Sequence, residues 1–153
     1  MSNSNQIQIL LNGLIQSMQE VIPQTVKIGT PSLYKEPFTQ NEAGVLIGVT
    51  GDVRARIILE SSTKVFSGIG LSMYGMEISG EMLESFIGEF GNMSAGKLCT
   101  HCAENELDLD ITPPTVMIGQ TKLFGFQHAF RLPIDIEGLG TMNGLLTIDN
   151  PDE

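Results

Sequence analysis

The sequence predicts an α+β fold, with helices packed on a mostly antiparallel sheet. Apolar residues recur at helical spacing near the start and in the middle of the chain. Apolar, β-branched runs, punctuated by Gly51-Asp52 and Gly138-Leu139-Gly140, fill the intervening and final segments. The resulting order is helix, strands, two helices, strands. At 153 residues the chain fits a single domain spanning residues 1–153, long enough to bury a sizeable core.

Each element has a local reason. Ile7, Leu10, Leu11, Leu14, Ile15, Met18 and Val21 share one helical face over residues 5–21, and Pro23 ends that helix. Residues 25–32 suit a strand, and KEPFTQNEA at 35–43 reads as a loop. Residues 44–50 and 53–60 read as two strands joined at Gly51-Asp52. Ser61 and Ser62 can cap a short helix over 63–73, stopped at Gly75. Ser79 offers a second cap, with Glu81 and Glu84 in the first turns, where the helix dipole favours negative charge. That helix should run to about Ala103. Pro113-Pro114, inside LDLDITPPTVMIG, forces an extended or turn segment. Residues 126–136 and 141–149 read as a hairpin turning at Gly138-Leu139-Gly140.

Charge and composition exclude several functions. A net charge of −10 opposes sequence-independent nucleic-acid binding and an anionic membrane surface. A protein partner with a basic patch is permitted. No apolar run approaches the ~20 residues of a membrane span. The start, MSNSNQIQILLNGL, lacks a positive region and a small-residue cleavage site, so a cytoplasmic location is expected. Cys99 and Cys102, three apart, give no disulfide framework.

The stretch SFIGEFGNMSAGKL, residues 85–98, carries the functional question. It reads as helix, yet it holds Gly88, Gly91 and Gly96. Each glycine costs about 0.5–1 kcal/mol relative to Ala inside a helix. With Ser85 set at zero and an advance of 100° per residue, Glu89 falls near ~40°, Asn92 near ~−20° and Gly96 near ~20°. Leu83, Phe86, Ile87, Phe90 and Met93 cluster on a face roughly 130° away, which should be the core. Ser85, Glu89 and Asn92 therefore form an outward stripe. Without side chains at Gly88 and Gly96, another surface could approach there. A solvated polar face, with glycines needed for helix packing, is the competing interpretation.

Ser85-x-x-x-Glu89-x-x-Asn92, in the setting GEFGNMSAGKL, resembles the signature of the CheC/CheX/FliY chemotaxis phosphatases: an Asp or Ser followed by E-x-x-N. ITPPTVMIG at 111–119 is similar to a segment that follows this helix in CheX-like members. The resemblance spans roughly residues 5–150 and implies a two-layer CheC-like fold. It also implies hydrolysis of the aspartyl phosphate on a chemotaxis response regulator receiver domain. Asn92 would position the attacking water, and Glu89 would pair with the receiver's active-site lysine. Ser85, Gly88 and Gly96 would be binding residues around them. The resemblance places Mg²⁺ on the receiver and asks for no metal or cofactor on this chain.

Two-site members carry a second E-x-x-N. Here Glu20 is followed three residues later by Pro23, so one site per chain and a CheX-like homodimer through the sheets are expected. A non-catalytic receiver-binding module of the same fold is the alternative. A flagellar-switch-like structural role fits less well, because no appended switch domain is read in the chain.

Other constellations are weaker. Cys99-Thr100-His101-Cys102, with His128, offers zinc-ligand chemistry but only one ligand pair. A redox pair belongs at a helix N-terminus, whereas these cysteines should lie near a C-terminal end. GIGLSMYG at 68–75 lacks the G-K-S/T ending of a phosphate loop. Asp108 and Asp110 read as a solvated edge, and the eight methionines mainly as core fillers.

Overall fold

The computed structural model describes residues 3–35 and 37–149. In chain order they form α1 (Asn3–Val21), β1 (Val26–Ile28), β2 (Ser32–Tyr34), β3 (Phe38–Gln40), β4 (Ala43–Gly51) and β5 (Ala55–Ser61). Then follow α2 (Thr63–Tyr74), α3 (Gly80–Glu104), β6 (Leu109–Ile111), β7 (Thr115–Ile118), β8 (Thr121–Leu123), β9 (His128–Ile136) and β10 (Gly140–Ile148). Eight strands build one sheet in the order β1-β9-β10-β5-β4-β6, with β2 also on β9 and β7 also on β4. Every pairing in it is antiparallel. The expected α+β architecture, three helices on a mostly antiparallel sheet, is the one observed.

The sheet alternates as a half-buried sheet should. Val45, Ile47 and Val49 of β4, Ile57 and Leu59 of β5, and Leu132, Ile134 and Ile136 of β9 point into the main core. Leu10, Leu14 and Met18 of α1, Phe66 and Ile69 of α2, and Phe86, Ile87, Phe90 and Leu98 of α3 meet them there. Burying each such side chain stabilises the fold by roughly 1.5–3 kcal/mol, which outweighs the glycine cost of α3.

The helix ends follow their capping chemistry. Val65 N donates to Ser62 Oγ at 3.1 Å, and Gly75, at φ 73°, closes α2 through Leu71 O. Ser79 precedes α3 but makes no side-chain cap bond.

Two details depart from expectation. The strand foreseen over 25–32 is split into β1 and β2, both on β9. Pro133 of β9 sits between the two pairings; it has no N–H, and its carbonyl accepts from Gly29 N at 2.9 Å. The loop foreseen over 35–43 contains β3, which pairs with β8. That small pair covers a second apolar cluster of Phe38, Ile58, Phe126, Ala129 and Leu145 on the sheet's outer side.

Candidate functional site

The site is built on the middle of α3, a helix of 25 residues held along its length. Phe86, Ile87 and Phe90 are buried, and Phe90 meets Phe66 edge-on at 5.9 Å. Ser17 Oγ of α1 donates to Ser94 O at 2.6 Å, binding the two helices across the buried interface. A Cβ on Gly91 would lie 2.7 Å from both methyls of Val45, so only glycine lets α3 seat this closely on β4.

On the opposite side of α3, Ser85, Glu89 and Asn92 are exposed. Neither the Glu89 nor the Asn92 side chain makes a hydrogen bond or ion pair among the described residues. The three line one wall of an open groove of about 590 Å³, with Gly88 beside them. The other wall is the end of β6 and its link to β7, residues 111–114. Thr112 fixes that wall by a reciprocal pair: its N donates to Gly48 O at 2.9 Å, and its Oγ1 accepts from Gly48 N at 2.8 Å. Two consecutive prolines then hold the rim with little backbone freedom. A carboxylate and a carboxamide, one helical turn apart, thus face open space from a rigid scaffold. The carboxylate accepts only, while the amide both donates and accepts.

The three glycines of the stretch serve different ends. Gly96 is open, with nothing within 4 Å of its missing Cβ. Gly88 is not bare surface, which corrects the expectation drawn from the helical wheel. It is buried, and a Cβ there would lie 3.2 Å from Val116 Cγ2 and 3.9 Å from Pro114 Cγ. The close approach it permits is made by the chain's own β7. Sequence reasoning also missed Thr112, Pro113 and Pro114 as a wall. The Pro-Pro pair signalled an extended segment, but not that it would lie beside Glu89.

The remaining polar clusters lie elsewhere. Cys99 and Cys102 sit near the C-terminal end of α3, and both thiols are free. Burial, aided by Asp110, pushes the Cys99 thiol above its ordinary value, and burial, aided by Cys99, pushes Cys102 up to about 11. Both shifts oppose thiolate chemistry. His101 engages Glu20 at 2.7 Å. Among the described residues no three His, Cys, Asp or Glu side chains group as a metal site. No helix of the described residues is long and apolar enough to cross a membrane.

The fold is one shared with CheC-like proteins of known structure. The backbone matches a CheC-like superfamily protein from Shewanella sp. PV-4 with a TM-score of 0.80, at 19% identity, over 97% of this chain and 100% of that one. It also matches a CheX–CheY–BeF3–Mg²⁺ complex from Borrelia burgdorferi with a TM-score of 0.76, at 19% identity, over 94% of this chain and 97% of that one. In sequence, residues 43–126 match the family described as chemotaxis phosphatase CheX. The CheY-P phosphatase CheX of Thermotoga maritima is 34% identical over 135 residues, 83% of this chain and 87% of that protein. The chain belongs to the CheX family of chemotaxis phosphatases.

Proposed function

We propose that this protein hydrolyses the aspartyl phosphate of a response regulator receiver domain in chemotaxis signalling, with Asn92 placing the attacking water. The observation that carries the reading is the Glu89/Asn92 pair. Both side chains are exposed, without a partner among the described residues, and aimed from a fixed helix into an open groove. Support comes from the 34% identity to a protein named CheY-P phosphatase and from the fold shared with a CheX found in complex with CheY.

The chemistry needs little from the chain beyond placement. Water oxygen bonds to phosphorus as the bond from phosphorus to the aspartyl oxygen breaks. Aspartate and dihydrogen phosphate result, and both water protons stay on the phosphate. Phosphoryl transfer of this kind depends mainly on positioning and charge compensation. The Asn92 amide orients the water: its Oδ1 accepts a hydrogen bond from the water and its Nδ2 donates one to the water oxygen. Holding one water in line removes much of the entropic barrier to its attack. Glu89 pairs with the lysine of the receiver pocket and sets the docking angle, while Ser85 and Gly96 extend the contact along the same stripe. Mg²⁺ belongs to the receiver in this scheme.

We propose also that the protein is a homodimer through its sheet. Light scattering at micromolar concentration should give twice the chain mass; a monomer removes this part. The catalytic reading is tested by phosphate release from a panel of phosphorylated receivers. Wild type should accelerate release from at least one chemotaxis receiver, and Asn92→Ala should not. Acceleration by both proteins alike would refute the site.

A further inference from the structure

Exposed apolar side chains are concentrated just before the site. Of the seven large hydrophobics exposed among the described residues, four fall within residues 71–82: Leu71, Tyr74, Met76 and Met82. Tyr74, Met76 and Met82 border a groove of about 720 Å³ floored by buried Ile78 and Phe86. Ser85 and Glu89 line this groove and the catalytic groove alike. The two are therefore one continuous surface.

Resting on the receiver-phosphatase reading, we infer that this apolar shelf is the second half of the receiver-docking surface. It takes an apolar patch of the receiver bordered by lysine or arginine. The first reason is geometric. Met82, Ser85, Glu89 and Asn92 fall at spacings of three, four and three, so they share one helix stripe. Asn92 lies ten positions beyond Met82, roughly 15 Å along the axis. A stable protein interface covers about 800 Å² per partner, a patch roughly 30 Å across. A receiver seated with its phospho-aspartate at Asn92 therefore reaches the shelf.

The second reason is charge. Glu81 and Glu89 line the groove, with no lysine or arginine among its lining residues, and Glu77 and Glu84 are exposed nearby. A partner that covers it gains by carrying cations around an apolar centre. The third is rigidity with adaptability. Tyr74 packs edge-on against Phe86 at 5.7 Å, so the shelf is held in place before docking. Its two thioethers are free to re-pack against different partner side chains.

The test separates docking from turnover. Affinity for a chemotaxis receiver loaded with Mg²⁺ and BeF3⁻ is measured by calorimetry, and single-turnover phosphate release is measured at saturating enzyme. Met76→Glu/Met82→Glu should weaken affinity about 10-fold or more, since it places uncompensated charge in a contact that becomes dry. The rate at saturation should stay within about 2-fold, because no group that orients the water is touched. Met76→Leu/Met82→Leu should keep wild-type affinity. Should the Glu pair disturb folding, as judged by circular dichroism, Met76→Gln/Met82→Gln replaces it, with a smaller loss of affinity expected. Wild-type affinity in the polar variants, with Asn92→Ala still inactive, overturns the shelf and leaves the phosphatase reading standing. A fully active Asn92→Ala defeats that reading and the shelf with it. Conversion of a dimer to a monomer without loss of receiver affinity assigns the shelf to a second copy and also overturns the inference.

Discussion

The middle of α3 and its C-terminal half use polar residues in opposite ways. Toward the C-terminus several polar groups are engaged within the chain. His101 meets Glu20 at 2.7 Å, Asn105 Nδ2 donates to His101 O at 3.0 Å, and Thr100 Oγ1 donates to Gly96 O at 3.2 Å. In the middle, Glu89 and Asn92 reach outward with no such partner among the described residues. Behind them lie Phe86, Ile87 and Phe90, so their backbone is as firmly held as that of His101. His101 joins α3 to α1, while Thr100 and Asn105 bond back onto α3 itself. Unengaged polar groups on an equally rigid frame already have a fixed backbone, so only their side-chain rotamers are ordered when another molecule arrives.

Four substitutions break or sharpen that contrast. Asn92→Ala should lower receiver dephosphorylation about 100-fold or more, the scale expected when a water is no longer held in attack geometry. Its receiver affinity should barely move, which calorimetry checks. Glu89→Ala should weaken receiver binding about 10-fold, or ~1.4 kcal/mol, through loss of a charge-assisted contact. Gly96→Ala should raise folding stability by about 0.5–1 kcal/mol in urea titrations, because nothing crowds its Cβ in the helix. If the receiver contacts Gly96, that stabler variant should also bind more weakly. Glu20→Gln, at the engaged end, should change stability by less than about 1 kcal/mol, since Glu20 is well exposed. It should leave phosphatase activity untouched, and a loss of activity there would blur the division between the two halves.

The stripe itself was legible, because helical periodicity alone separates Glu89 and Asn92 from Phe86, Ile87 and Phe90. The Ser62 and Gly75 caps were legible too, since capping is a local matter. What stayed hidden depended on distant pairing. Gly88 looked bare until Val116, 28 residues later, was found over it. Thr112 became part of the site only through Gly48, on a strand 64 residues earlier. Residues 38–40 read as loop because Phe38 is their one apolar residue, and the partner β8 lies some 80 residues on. Buried Gln40 of β3 donates to Met117 O and Gly119 O, contacts that no local pattern announces.

The most direct measurement is a structure of this protein bound to a chemotaxis receiver carrying Mg²⁺ and BeF3⁻. The account predicts the receiver seated on α3, the Asn92 amide within about 3 Å of a water in line with the beryllium, and Glu89 on the pocket lysine. A receiver docked on another face, with Asn92 still in open solvent, would contradict it.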